Sequence, residues 1–237
     1  MKWRIISREL HTGPTNMGID EALAGMIAAE KSPPTLRFYA WNPPGVSIGY
    51  FQRLRDCVKT EKCNKMGMDY VRRMSGGGTT FHGAELAYSI LAPGYMFPKY
   101  AEDAFMLLCR QAVTALASVK INAEYMPIDQ IVCGEKRIGW NAVTYRGGAI
   151  IFQGSIFHDL DYESMAAATG STPAKIREAL TCAKELSSAT MNDIEAALQN
   201  GFIGEKNARN GTLTRDELRK AEELSEKYAG REWNFLL

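Results

Sequence analysis

The pattern of hydrophobic and polar positions changes along the chain. Short apolar segments separated by Gly, Pro, Asn or Ser fill the first two thirds and are typical of β-strands. They lie at residues 3–7, 35–39, 45–50, 69–74, 79–82, 86–91 and 122–158. In the last segment the pairs Gly134-Glu135 and Gly147-Gly148 interrupt the apolar residues. We therefore predict consecutive antiparallel hairpins there.

Elsewhere apolar residues recur three and four positions apart, which is the spacing of one helix face. Asn, Thr and Gly at the ends of these segments act as helix caps, and Thr214 with Glu217 forms a capping box. The predicted helices follow Asn16, span 56–66 before Gly67, span 100–119, and follow Thr172, Thr190 and Thr214. No repeat or linker divides the chain. We predict one domain over residues 1–237, of the α+β class, with a mixed, largely antiparallel central sheet flanked by helices.

Composition narrows the function classes. Apolar residues make up 46% of the chain and charged residues 23%, and the formal net charge is +1, so no global field favours nucleic acid or a membrane surface. Five cysteines without CxxC spacing indicate free thiols, and we expect a cytoplasmic protein. Three histidines without paired spacing predict no zinc site.

The candidate chemistry concentrates in residues 72–82, which read RRMSGGGTTFH. Arg72 and Arg73 end a predicted strand, so their side chains point to opposite faces and only one lines a given pocket. Gly76, Gly77 and Gly78 lack Cβ atoms, which permits close ligand approach and lets backbone N–H groups turn toward one anion. The alternative is a flexible turn flanked by solvated charges. No Walker loop or dinucleotide fingerprint is present.

This stretch resembles the RRxSGGGxVxH signature of lipoate–protein ligase A and its octanoyltransferase relatives. Residues 16–23, 36–52, 134–149 and 154–159 resemble other segments of the same family. The resemblance implies the fold shared with biotin–protein ligases. It also implies activation of lipoate or octanoate with ATP and Mg²⁺ to an acyl-adenylate. The acyl group would then pass to a lysine of a carrier, the E2 lipoyl domain or the glycine-cleavage H protein.

The resemblance also implies roles for individual residues. Arg72 would hold the acyl or phosphate end, and Asp129 would help to bind Mg²⁺. The remaining residues of the implied substrate- and cofactor-binding site are Ser75, Gly76, Gly77, Gly78, His82 and Arg146.

The family's catalytic lysine lies in a K-[IV]-x-G-x-A pattern, and here two registers are open. Alignment without a gap places Arg137 at the lysine and Trp140 at the glycine, whereas a shift by one residue recovers Lys136 and Gly139. A one-residue shift turns the side chain to the other face of the strand. We favour Arg137 facing the pocket, with Trp140 narrowing it, and the alternative has Lys136 facing inward with Trp140 in a bulge.

Four positions depart from the family pattern, namely Gly83, Arg137, Trp140 and Gln153. The departures leave three functions open: an ATP-dependent ligase, which leads, an ATP-independent lipoyl or octanoyl transferase, and a non-catalytic lipoyl-binding homologue. No cysteine aligns with the catalytic thiol of some transferases. The chain ends where the larger family domain would end, so we also expect that a small accessory domain is supplied by a separate chain.

Overall fold

Two β-sheets carry the fold in the computed structural model, which describes residues 2–126 and 130–237. The strands are β1 (Trp3–His11), β2 (Thr35–Trp41), β3 (Gly45–Ile48), β4 (Asp69–Arg72), β5 (Thr80–His82), β6 (Glu85–Pro93), β7 (Glu124–Met126), β8 (Gln130–Cys133), β9 (Lys136–Arg146), β10 (Ala149–Phe157) and β11 (Ala208–Asn210). The helices are α1 (Gly13–Ala28), α2 (Leu54–Cys57), α3 (Thr60–Met66), α4 (Ala101–Ser118), α5 (Tyr162–Thr169), α6 (Pro173–Ala179), α7 (Ala183–Leu186), α8 (Met191–Ile203), α9 (Arg215–Ala229) and α10 (Arg231–Asn234).

The larger sheet has the strand order β11-β1-β2-β6-β10-β9-β8-β7, and the smaller has the order β4-β3-β5. In the larger sheet β1 pairs in parallel with β11 and β2, and every other neighbouring pair is antiparallel. The predicted α+β class with a mixed, largely antiparallel sheet is therefore confirmed. The hairpin predicted at Gly147-Gly148 joins β9 to β10, and the one at Gly134-Glu135 joins β8 to β9.

Alternation along the central strands separates two cores. On β10, Ile150 and Phe152 pack on the face covered by α4 and α8, whereas Ile151 packs on the face covered by α1 and α9. Helices α1 and α9 touch through their backbones at Gly18, where an added Cβ would lie 2.7 Å from the carbonyl oxygen of Ala221. This face of the sheet continues into the region of the glycine loop, residues 76–78.

Several predicted boundaries differ from the structure. Helix α1 begins four residues earlier than predicted, because Thr12 caps it and Pro14 fits its first turn. Asn16 lies inside the helix, where its side-chain amide donates to the carbonyls of His11 and Ala40. The predicted helix over 56–66 is two helices, α2 and α3. Strand β11 was not predicted, because three residues carry too short a pattern to detect.

Among the described residues, no helix is both long enough and apolar enough to cross a membrane.

A buried ion pair fixes α9 to the larger sheet. Arg4 on β1 donates to Glu217 at 2.7 and 2.8 Å, and both side chains are almost fully buried. Burial alone would raise the pKa of Glu217, but hydrogen bonds from Arg4, Ser32 and the N–H of Thr214 lower it to about 2. Glu217 also completes the predicted capping box with Thr214. The pair therefore stabilises the fold as long as Glu217 is ionised.

We predict that Glu217→Gln lowers the free energy of unfolding at pH 7 by about 3 kcal/mol, the equivalent of a pKa shift from 4.5 to about 2. Because the folded-state pKa is depressed, this contribution is present above pH 4.5 and is lost as the pH falls toward 2. Urea denaturation of both proteins across this pH range measures the difference. The exposed Glu223→Gln on the same helix is the control, and a difference that does not change with pH would contradict the prediction.

Candidate functional site

Arg73 is fully buried where β4 ends and the glycine loop begins. Its Nη1 donates to Ser47 Oγ at 2.7 Å, and its Nη2 donates to the carbonyl oxygens of Gly76 and Gly78 at 2.9 Å. One guanidinium therefore fixes β3, the end of β4 and the glycine loop relative to one another. The geometry is that of a planar fork whose donors have fixed directions.

Arg72 points the opposite way, as strand alternation requires. Its guanidinium is fully buried and donates to backbone carbonyls of two chain segments. The acceptors are Trp233 (3.1 Å), Tyr50 (2.6 Å), Gln52 (2.6 Å) and Asn234 (2.9 Å). Arg72 thus ties the C-terminal segment to the loop after β3. Arg73 is the arginine whose guanidinium contacts the glycine loop, and the anion-binding role of Arg72 remains a prediction.

His82 lies between a carboxylate and a hydroxyl. Its Nδ1 is 2.8 Å from Glu85 Oε1, and its Nε2 is 2.8 Å from Ser47 Oγ. Burial lowers the pKa of His82, while the charge and hydrogen bond of Glu85 oppose that effect. A neutral His82 whose Nδ1–H donates to Glu85 leaves Nε2 as an acceptor for the Ser47 hydroxyl. Glu85, His82, Ser47 and Arg73 therefore form one continuous polar chain.

The indole rings of Trp41 and Trp140 pack against these hydrogen-bonded side chains. Trp41 stacks on the His82 ring with centroids 3.8 Å apart and planes 6° apart. Trp140 meets His82 edge-on at 6.2 Å, and the guanidinium carbon of Arg73 lies 4.3 Å above the Trp140 ring. Apolar walls lower the local dielectric, so the hydrogen bonds of the chain are stronger than they would be in water.

The position of Trp140 depends on a bulge in β9. Gly139 opposes Ile131 and Arg137 opposes Val132, so Ile138 is an extra residue between them. The extra residue reverses the alternation, and Arg137 comes to lie on the same face of the strand as Trp140. Lys136 is exposed and lies on the other face. The catalytic roles of Arg137 and Lys136 remain predictions.

A second polar chain connects the glycine loop to α1. Ser75 Oγ donates to Gln153 Oε1 at 2.6 Å, and Gln153 Nε2 donates to Asp20 Oδ2 at 2.8 Å. Asp20 in turn pairs with Arg37 at 3.0 Å, and all four side chains are buried. Gln153 thus has a definite role at a position where the family often has histidine. It holds the start of the loop against the helix.

The glycine loop packs closely against the end of β3. A Cβ on Gly49 would lie 2.0 Å from the carbonyl oxygen of Gly77, and Gly77 has a φ of 88°. The loop carbonyls of Gly76 and Gly78 accept hydrogen bonds from Arg73. Two loop carbonyls therefore hold a buried cation in place, and the binding of an anion by the loop N–H groups remains a prediction.

One predicted site residue, Arg146, lies away from this region, and another, Asp129, cannot be compared. Arg146 is exposed at the far end of β9, six residues from Trp140 and therefore about 20 Å away at the usual strand rise. Asp129, the predicted Mg²⁺ ligand, lies outside the described residues. Over residues 2–126 and 130–237, no three His, Cys, Asp or Glu side chains come together as a metal site.

Sequence reasoning missed Ser47, Glu85 and Trp41. The only local signal was the position of Glu85, three residues after His82. Ser47 and Trp41 join the site solely because β3 pairs with β5 and because the end of β2 packs against it.

Comparison with known proteins identifies the family. Residues 12–203 match the lipoyl protein ligase A/B catalytic domain. The octanoyltransferase LipM of Kyrpidia tusciae is 30% identical, and the alignment covers 98% of each chain. The octanoyltransferase LipM of Symbiobacterium thermophilum is 35% identical over 67% of this chain and 66% of its own.

Solved structures give the same fold. A lipoate-protein ligase A bound with ATP superimposes with a TM-score of 0.86 at 25% identity, covering 100% of both chains. A bipartite lipoate protein ligase from Thermoplasma acidophilum, described with its E2 lipoyl domain, superimposes with a TM-score of 0.87 at 24% identity, covering 100% of this chain and 98% of its own. The match over most of the length and the shared fold show that this chain belongs to the lipoyl protein ligase A/B catalytic domain family.

Proposed function

We propose that the protein transfers an octanoyl or lipoyl group, already activated as a thioester on a carrier, to a lysine of a lipoyl domain. The observation that carries the proposal is the buried polar chain from Glu85 through His82 and Ser47 to Arg73. Aminolysis of a thioester forms a C–N bond and breaks the C–S bond. It needs a base that takes the proton of the attacking amine and returns it to the departing carrier thiol, and a cation for the oxyanion. A neutral His82 and the Arg73 guanidinium, bridged by the Ser47 hydroxyl, supply these two groups.

An apolar cavity of about 270 Å³ lies next to the hydrogen-bonded side chains of Glu85 and His82, and its size suits the acyl tail. His82 and Glu85 form one wall, and Met68, Leu160 and Met165 are among the residues that line the remainder. Ligand pockets of this kind are mostly apolar with a few polar groups at one end. An octanoyl or lipoyl chain in the cavity would bring its carbonyl toward His82.

The geometry favours transfer without ATP. The guanidinium groups of both arginines donate to backbone carbonyls of the protein itself. Arg72 donates to Tyr50 and Asn234, and Arg73 donates to the loop glycines 76 and 78. An arginine that binds a phosphate usually directs two parallel N–H groups at the phosphate oxygens. Here the N–H groups are directed at carbonyl oxygens of the protein instead. The octanoyltransferase LipM of Kyrpidia tusciae matches this chain over 98% of its length, which supports the same proposal.

ATP-dependent ligation is the second candidate, because an ATP-bound lipoate-protein ligase A superimposes over the whole chain. In that reaction ATP and Mg²⁺ would convert lipoate or octanoate to an acyl-adenylate, with Asp129 as a proposed metal ligand. The acceptor in either case would be an E2 lipoyl domain or a glycine-cleavage H protein. A separate accessory chain would belong to the ligase reaction, where a lid excludes water from the adenylate.

Intact-mass spectrometry of a lipoyl domain distinguishes the two reactions. With an octanoyl carrier protein and no ATP, we expect the lipoyl domain to gain one octanoyl group. With octanoate, ATP and Mg²⁺ instead, we expect no modification and no AMP release. A lipoyl domain whose acceptor lysine is replaced by arginine is the control. Modification only in the presence of ATP would replace our proposal with the ligase reaction, and none in either mixture would contradict both.

The two adjacent arginines provide a matched pair of variants. We predict that Arg73→Lys lowers the rate of transfer about a hundredfold, because an ammonium group cannot hold Ser47 and the loop carbonyls in the fixed directions of the guanidinium and so moves the positive charge away from the developing oxyanion. Arg72→Lys should lower the free energy of unfolding by about 2–4 kcal/mol, because backbone carbonyls lose charge-assisted partners. Transfer rates under saturating substrate and urea denaturation of both variants measure these effects. Selective loss of transfer in Arg72→Lys with unchanged stability would contradict our assignment and support the anion-binding role of Arg72.

A further inference from the structure

Three buried polar groups near Arg73 have no hydrogen-bond partner in the part of the chain that the structure describes. They are Thr80 Oγ1, Trp140 Nε1 and Ser155 Oγ. Their residues are 1%, 3% and 0% exposed, respectively. Buried polar groups in folded proteins are overwhelmingly hydrogen-bonded, so several unpartnered groups in one region require an explanation.

The three groups lie on two surfaces that face each other. Ser155 on β10 is directly opposite Trp140 on β9, so both side chains are on one face of the larger sheet. Thr80 lies two residues before His82 on β5, so these two share a face of the smaller sheet. His82 meets the Trp140 ring edge-on, which brings the two faces together. The unpartnered groups therefore border the same interior region as Arg73.

The chemistry of these groups selects an acceptor. An indole N–H only donates, and the two hydroxyls can both donate. A carbonyl oxygen has two lone pairs and no proton, and the oxyanion that forms from it during acyl transfer has a third lone pair, so this oxygen complements such donors. The Arg73 guanidinium, 4.3 Å from the Trp140 ring, adds positive potential without needing to bond the ligand directly.

We propose that Trp140 Nε1, Ser155 Oγ and Thr80 Oγ1 bind the carbonyl oxygen of the acyl substrate and so determine which acyl compounds the site accepts. This inference rests on the proposed acyl transfer. The acyl tail extends from the carbonyl past His82 into the apolar cavity, which Phe157 also lines two residues after Ser155. Bound substrate supplies the acceptor that the three donors lack.

Calorimetric titration tests the proposal with two probes that share the octanoyl chain, the neutral thioester S-octanoyl-pantetheine and the carboxylate octanoate. We expect Trp140→Phe, Ser155→Ala and Thr80→Val each to weaken binding of the thioester about three- to tenfold, the effect of one neutral hydrogen bond. Trp3→Phe removes an equally buried indole in the core formed with α4 and α8, and its binding should equal that of the wild type. If wild-type protein bound octanoate more tightly than the thioester, the result would contradict a thioester as the ligand of these three groups.

Nuclear magnetic resonance of ¹⁵N-labelled indoles provides a second measurement that a purely structural role would not affect. Addition of S-octanoyl-pantetheine should shift the Trp140 N–H resonance downfield and leave that of Trp3 in place. An unmoved Trp140 resonance, together with unchanged affinity in Trp140→Phe, would overturn the inference, as would failure of the wild-type protein to bind either probe. If the donors hold the probe but no lipoyl domain is modified, the failure lies with the proposed function instead.

Discussion

The structure depends on the burial of two adjacent arginines at the end of β4. Removal of a guanidinium from water costs on the order of several kcal/mol, so each buried charge must be compensated by well-placed hydrogen bonds. Strand alternation directs the two side chains to opposite sides, and the chain surrounds each of them with carbonyl oxygens. Arg72 fixes the C-terminal segment and the loop after β3. Arg73 fixes the glycine loop and Ser47.

This constraint also organises the chemistry. Because Arg73 donates to Ser47, the hydroxyl of Ser47 is available to donate to His82, and Glu85 holds the other side of the imidazole. Each of these hydrogen-bonded side chains determines the orientation of the next, so the groups are positioned before a substrate binds. Gln153 and Asp20 hold the start of the glycine loop against α1 in the same manner. The α1–α9 core and the candidate site therefore form as one structural unit.

Much of the fold was predictable from local signals. The antiparallel hairpins after residue 122, the helix caps at Thr172, Thr190 and Thr214, and the glycine loop all follow from short sequence patterns. The orientation of side chains in the site was less accessible. Alternation requires that Arg72 and Arg73 point apart, but only the pairing of β4 with β3 determines which of them faces the loop.

The same difficulty applies to β9. A sequence does not reveal the bulge at Ile138, and it therefore does not reveal that Arg137 and Trp140 lie on the same face of the strand. Ser47 joins the site through contacts with residues far along the chain, which no spacing rule detects. Sequence patterns thus identified the segments that build the site, whereas its hydrogen bonds depend on register and tertiary packing.

The protonation state of His82 is the central element of this account, and ¹⁵N nuclear magnetic resonance of its imidazole measures it directly. Because burial lowers the pKa of His82, we predict a neutral ring at pH 7, with the proton on Nδ1 toward Glu85 and titration below pH 6.5. Replacement of Glu85 by glutamine should lower the pKa further, because the carboxylate raises it. A His82 that is doubly protonated at pH 7, or that carries its single proton on Nε2, would contradict the account.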